Sequence, residues 1–480
     1  QVVVDMPEYT PMEQTQRVLM EMGGYLESVD EVATWQTYAG TASPINFNGL
    51  VRQYYLRNDP YQGDIQINLS DKENRDRQSH DIAQSLRAPL KAVADKYGAS
   101  VKVVEVPPGP PVLSPVVAEI YAMGESRRAE LARGVAEGMP EVDGLVDIDT
   151  TLEAPTRQWK VVVDRDRAAR LGVSQAQVVG ALQTALGGTS VSFLHDDYAK
   201  YPVPIRVILG EGDKAQPSIL LSLKVRSRSG NLVPLASVAD IREADWVGAI
   251  YHKDLLPVTY VTADMAGETE SPLYGMFAMV KRLNQQEGAP EQYFVDQPTL
   301  PENGALKWDG EWQITYETFR DMGAAYSVGV LLIFVLLVAQ FRSYILPLVI
   351  MAPIPLTLIG IMPGHALLGR EFTATSMIGM IALAGIIVRN SILLVVFIRQ
   401  LIDEGVELDE AVVLAGAVRI KPIALTAISA MVGAYFILND PIFNGLAISL
   451  IFGLAMSTLL TVLVVPLLYY TLARRSVNGP

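Results

Sequence analysis

Arg389 and Asn390 sit in the middle of the run "IALAGIIVRNSILLVVFI", where every neighbour suits lipid. A charged side chain at the centre of a bilayer helix costs roughly 2.5–3.5 kcal/mol on insertion scales. Arg389 lies about nine residues from the end of a span expected at 374–398, about 13 Å at the helical rise, which is a stretch for snorkelling. The guanidinium is therefore expected to face protein and to meet an anionic or carbonyl partner. Without transport chemistry, that partner would make it a clamp between helices.

A second candidate surface is "WQTYAGTASPINFNGLVRQYYLRNDPY", with six aromatics in 27 residues, interleaved with Gly, Asn and Ser. Aromatic surface with few polar groups suits apolar ligands of variable shape. Phe47 is the leading contact, followed by Tyr38, Tyr54 and Tyr55. Trp35 and Tyr55 fit sheet packing equally well, and Arg52 is placed to set a charge preference. Thioethers suit soft cations, but Met6, Met12, Met20, Met22, Met276 and Met279 also read as core filler. The four histidines (His80, His195, His252, His365) are far apart in sequence, and no Ser/His/Asp, metal or phosphate-loop constellation appears. An enzyme is the least expected class.

The elements that position these groups fall into two halves. Before Met322 there are 30 basic and 45 acidic residues. From Met322 onward the numbers are 8 and 7, and the sequence is strongly apolar. That balance excludes a nucleic-acid partner, which needs a basic footprint. No cysteine is present, so disulfides and thiolate metal sites are excluded and the redox compartment is not readable. The start, "QVVVDMPEY", reads as a strand with no signal-like stretch, as though the chain begins inside a longer polypeptide.

Five segments are long enough to cross a bilayer core of about 30 Å, at about 323–341, 345–363, 374–398, 422–438 and 446–472, with no acidic residue inside them. Alternate loops carry Arg342, then Arg399, Arg419 and Lys421, then Arg474 and Arg475. These loops should face the cytoplasm, which puts residues 1–321 on the far side. "RQLIDEGVELDEAVVLAGAVRIK" reads as a helix lying on the cytoplasmic surface or as a plain connector.

In the water-facing half, strands alternate with helices at 11–28 and 76–97 in a βαββαβ order, the split arrangement of ferredoxin-like domains. "PPGPPVLSP" at 107–115 is a stiff linker. A second such unit starts at "VVAEIYAM" and resumes at "PVTYVTADM", interrupted by a mixed segment at about 158–254 with a hairpin signal, "SRSGNLVPL". The fold class is thus α+β: two ferredoxin-like units, at 1–106 and at 107–157 with 255–318, an insert at 158–254, and a five-span domain at 322–473.

In that order, several stretches carry a family likeness: "VDMPEYTPMEQTQRVL", "VVVDRDRAARLGVSQAQVVGALQTALGG", "WDGEWQITYETFRD", "TATSMIGMIALAGIIVRNSILLVVF" and "AGAVRIKPIALTAIS". The chain resembles the C-terminal half of a resistance-nodulation-division (RND) efflux permease, the superfamily of the acriflavine-resistance pump. The resemblance implies that the ferredoxin-like units are porter subdomains and that the insert is a docking domain. It also implies inner-membrane localisation with a periplasmic porter region, proton antiport without cofactors, and assembly as a homotrimer. The implied partners are an N-terminal permease half, a periplasmic adaptor and an outer-membrane channel. The proton relay carried over is Arg389, Asn390, Arg419 and Thr426, answering aspartates on the absent half. Arg419 fits the positive-inside bias equally well, and Thr426 fits a bond back to its own helix. Where the family usually has a carboxylate, this chain has Val396 within Val395-Val396-Phe397. The expected function is proton-driven export of amphiphilic drugs or other small molecules. The alternatives are a soft-metal (Cu/Ag) exporter, a non-exporting RND machine such as a Sec-accessory protein, and a membrane scaffold.

Overall fold

The computed structural model describes residues 1–105, 112–267, 271–286, 288–440 and 442–478. Residues 107–111 of the expected linker lie outside this set.

The chain divides into two units: residues 7–9 with 153–250, and the remainder. The larger unit opens with strands β1 Val2–Asp5, β2 Val32–Ala39, β3 Gln62–Leu69 and β4 Ser100–Val103, all antiparallel in the order β2-β3-β1-β4. Helices α1 Met12–Leu26 and α2 Ser79–Asp95 cover one face. Val18, Leu19, Met22 and Leu26 recur at helical spacing. They pack with Ile82, Leu86 and Leu90 against Val2, Val4 and Ile65, the amphipathic pattern of a helix on a sheet.

A second sheet has six strands. Four of them, β5 Val116–Tyr121, β6 Leu145–Thr150, β7 Leu256–Met265 and β8 Ala305–Gly310, run β6-β7-β5-β8, with the short strands Tyr251–Lys253 against β7 and Glu291–Tyr293 parallel to β8 and helices α3 Glu125–Gly138 and α4 Pro272–Leu283 alongside. Val116, Ala118 and Ile120 enter the helix-covered core. The opposite face carries Glu119, with Lys307 and Tyr260 directly across from it. Glu119 is fully buried. Lys253 donates to both Glu119 and Asp309, Tyr121 Oη donates to Glu119 Oε2 at 2.8 Å, and Lys307 stands 3.6 Å away. Burial and the hydrogen bond with Asp309 push Glu119 up to about 7, against the pull of Lys253.

The smaller unit encloses its own core of Val173, Val178, Leu235 and Val238. Its hairpin, Thr189–Leu194 with Val203–Val207, is exposed along both strands.

Among the described residues, five helices are long and apolar enough to cross a membrane: Glu311–Phe341, Ile345–Leu367, Ala374–Asp403, Leu408–Tyr435 and Asn444–Arg474. Two differ from the sequence expectation. The first begins at Glu311, directly after β8, with Gly310 at φ +79° as the joint. A Cβ on Gly310 would stand 2.6 Å from the carbonyl oxygens of Ser114 and Pro115. The expected surface helix is instead the start of the fourth span, because residues 408–421 are continuous with 422–435. Pro422 lacks a donor for the preceding turn, yet the helix continues through it.

Candidate functional site

The third span packs chiefly on the fifth. A Cβ added to Gly379 would lie 2.7 Å from Ser449 Cβ, so small residues set the close approach that membrane helices use in place of a hydrophobic drive. Asn390 and Ser391 turn into this interior and are buried. Arg389 does not. Ile378, Ala382, Gly385, Arg389, Leu393 and Val396 are all exposed, and their spacing of three and four defines one stripe. Arg389 lies 14 residues before the helix end at Asp403, about 21 Å at the helical rise. Among the described residues, no hydrogen bond or ion pair reaches it.

The other expected relay members do not gather around Arg389. Arg419 lies 4.7 Å from the centroid of the Phe397 ring, a cation–π contact between the third and fourth spans, and its Nε is buried without a hydrogen bond. Thr426 is exposed, and its Oγ1 donates to Pro422 O at 2.8 Å, the back-bonded arrangement weighed from sequence.

The aromatic stretch divides according to the sheet. Trp35 packs over Gly23, whose Cβ would lie 2.4 Å from the indole, and it joins the first core. Tyr38 is half-buried, and its Oη donates to Gln36 Oε1 at 2.9 Å. The loop between β2 and β3 is pinned at both ends by Asp64, which is 1 % exposed. Its carboxylate accepts from Ser43 N at 3.3 Å and from Arg57 Nε at 3.2 Å. Arg57 also donates to Asp5 Oδ1 at 2.7 Å and to Val4 O at 3.0 Å, and lies over the Tyr54 ring. Burial raises the Asp64 carboxyl, partly offset by Arg57. Burial also opposes ionisation of Asp5, but Lys102 and Arg57 outweigh it and hold that carboxyl below its usual range.

Between these anchors the loop exposes Ile45, Phe47, Leu50, Tyr55 and Leu56. Gathered on one loop, these apolar side chains are a candidate contact surface. Sequence reasoning picked out Phe47 and Tyr55 here but not the three aliphatics, which were legible in the same loop as apolar residues off any strand alternation. Arg52 is buried rather than presented to solvent, with Nη2 3.8 Å from Asp264 on β7.

Among the described residues, no group of three or more His, Cys, Asp or Glu could hold a metal ion. Met6, Met22, Met276 and Met279 are core residues, whereas Met12 and Met20 are exposed.

Residues 1–473 match the family described as AcrB/AcrD/AcrF. The swarming motility protein SwrC of Bacillus subtilis (strain 168) is 26% identical over 363 residues, covering 74% of this chain and 33% of that protein. The cobalt-zinc-cadmium resistance protein CzcA of Cupriavidus metallidurans is 26% identical over 368 residues, covering 75% of this chain and 33% of its own length. Two crystal forms of a heavy metal efflux pump share the fold. Their TM-scores are 0.76 and 0.75, both at 21% identity, covering 99% and 98% of this chain and 47% of theirs. The chain thus spans about a third of the length of these curated relatives.

Proposed function

The chain belongs to the AcrB/AcrD/AcrF family of RND permeases, transporters rather than enzymes, and on that premise we propose that it forms the C-terminal half of a proton-driven exporter. The observation that carries this reading is Arg389 on the bare stripe of the third span. A guanidinium at that depth without a partner is costly. Ala382 and Gly385 beside it leave room for another helix to approach closely. A carboxylate on an N-terminal permease half would answer the charge and give up its proton more readily while the arginine faced it.

The two sheets correspond on this reading to ferredoxin-like porter subdomains on the periplasmic face of the inner membrane, and the smaller unit to a docking domain. An isolated hairpin is marginal in water. The exposed Thr189–Leu194 and Val203–Val207 pair supports a docking role, toward a second copy in a trimer or toward an adaptor and outer-membrane channel.

The similarity to CzcA favours a metal cation as cargo over an amphiphilic drug. The buried methionines make a thioether route for Cu(I) or Ag(I) the weaker form of that reading, so cobalt, zinc or cadmium is preferred. The exposed apolar loop edge specifically supports a second reading, an amphiphilic organic cargo. Transport by cells expressing the protein that carries this chain separates the two. Lowered accumulation of zinc or cobalt with unchanged accumulation of a lipophilic dye supports metal export, and the reverse pattern overturns it.

A further inference from the structure

Three cations of the first sheet unit each meet a carboxylate of the second, and two of them, Lys102 and Arg87, also contact Asp5 and Glu105 of their own unit. Lys102 pairs with Asp149, Arg87 Nε donates to Asp147 Oδ2 at 3.3 Å, and Arg52 Nη2 lies 3.8 Å from Asp264. The second sheet is irregular at this seam. Between the Asp149–Thr262 and Val146–Asp264 pairs, β6 has two residues, Asp147 and Ile148, against the single Ala263 of β7. That is a bulge, which re-aims a side chain. Asp147 adopts φ +53° there, a left-handed conformation that glycine takes without strain. An aspartate is kept, and its carboxylate accepts from Val103 N of β4 at 3.2 Å. The strain is thus offset by a contact across the seam.

The seam is not fully closed. It holds a cavity of about 130 Å³ lined by Arg52, Tyr54, Lys102, Asp149 and Asp264 among others. Arg52 comes from the aromatic loop. Its side chain is 7% exposed, its Nε makes no hydrogen bond, and its one carboxylate contact is long. Apart from this contact, the polar anchors of the loop, through Asp64 and Arg57, lie on its own sheet.

We propose that Arg52 is a positioning residue: its pair with Asp264 ties the loop bearing Ile45, Phe47 and Leu50 to the opposite sheet, so that parting the seam releases the loop's apolar edge. The loop then reports the separation of the two sheets to whatever lies against that edge. The pairing itself does not depend on the function proposed above. Only its consequence for cargo does.

The chain has no cysteine, so two nitroxides can be placed without background, at Ile45→Cys and Met123→Cys, both exposed. The experiment uses the full chain in detergent micelles, and pulsed EPR gives the distance distribution between the labels. Arg52→Gln and Asp264→Asn should each broaden it roughly two-fold, and the double variant should broaden it no further, because coupled residues are non-additive. Arg52→Lys, which keeps the charge, should restore most of the narrow distribution. The proposal is overturned if the single variants match the parent, if their effects add, or if Arg52→Lys behaves like Arg52→Gln. A loop that loosens as stated, together with unchanged cargo affinity in Phe47→Ala, upholds the coupling and removes the loop from cargo recognition.

Discussion

Arg389 and Val396 lie two turns apart on one exposed stripe of the third membrane helix, and the described residues supply no counter-charge to the arginine. Within this chain, therefore, the guanidinium is a cost. Arg389→Leu should make insertion of the third span more favourable by about 2.5–3.5 kcal/mol. A translocon insertion assay on the span measures this directly.

The clamp on the aromatic loop predicts a stability loss. Asp64→Ala removes the acceptor for Ser43 N and one of the two carboxylates on Arg57. Breaking a buried pair by deleting one partner costs up to 3–5 kcal/mol, and the surviving Asp5 contact should hold the loss near ~2 kcal/mol. Asp64→Asn keeps an acceptor for Ser43 and should lose less. Denaturant unfolding followed by tryptophan fluorescence ranks the two.

Glu119 predicts a pH dependence. Its folded pKa is about 7 against an ordinary 4.5, so the folded state holds the proton more tightly than the unfolded chain. Stability from this group is fully present below about 4.5 and declines as pH rises to about 7. Glu119→Gln should flatten that decline. Melting temperatures of the parent and the variant from pH 4.5 to 8 check it, with Trp308, buried on the adjacent strand, as the reporter.

Gly310 joins the second sheet to the first span in a single residue. At φ +79°, with carbonyl oxygens 2.6 Å from any Cβ, Gly310→Ala should cost at least 1–3 kcal/mol in strain, roughly. Loss of hydrogen-exchange protection at β8 and at the start of the Glu311 helix would locate the damage at the joint.

The membrane half was largely legible because an uninterrupted apolar run of twenty residues has few other uses. The start of the fourth span was not. Residues 408–421 alternate charge and apolar groups as a surface helix does, and Pro422 looks like a stop, yet the helix runs on through it to Tyr435. The alternation of strands and helices in the water-facing half was legible in the sequence, whereas the order in which the strands pair was not. In the aromatic stretch, residue type alone could not separate Trp35, which lies over Gly23, from Phe47, which faces outward. Sheet geometry makes that distinction. Arg52 and Asp264 are far apart in sequence and belong to different sheets, so nothing local announced their pairing.

The central claim is that Arg389 answers a proton-carrying carboxylate on a companion segment. Its most direct test is cargo export from vesicles under an imposed proton gradient, using the complete permease that contains this chain, with Arg389→Leu compared to the parent at equal abundance. The account predicts that export falls to the level seen without a gradient while the protein stays folded and assembled. Gradient-driven export at the parental rate would contradict it and leave Arg389 as a packing residue.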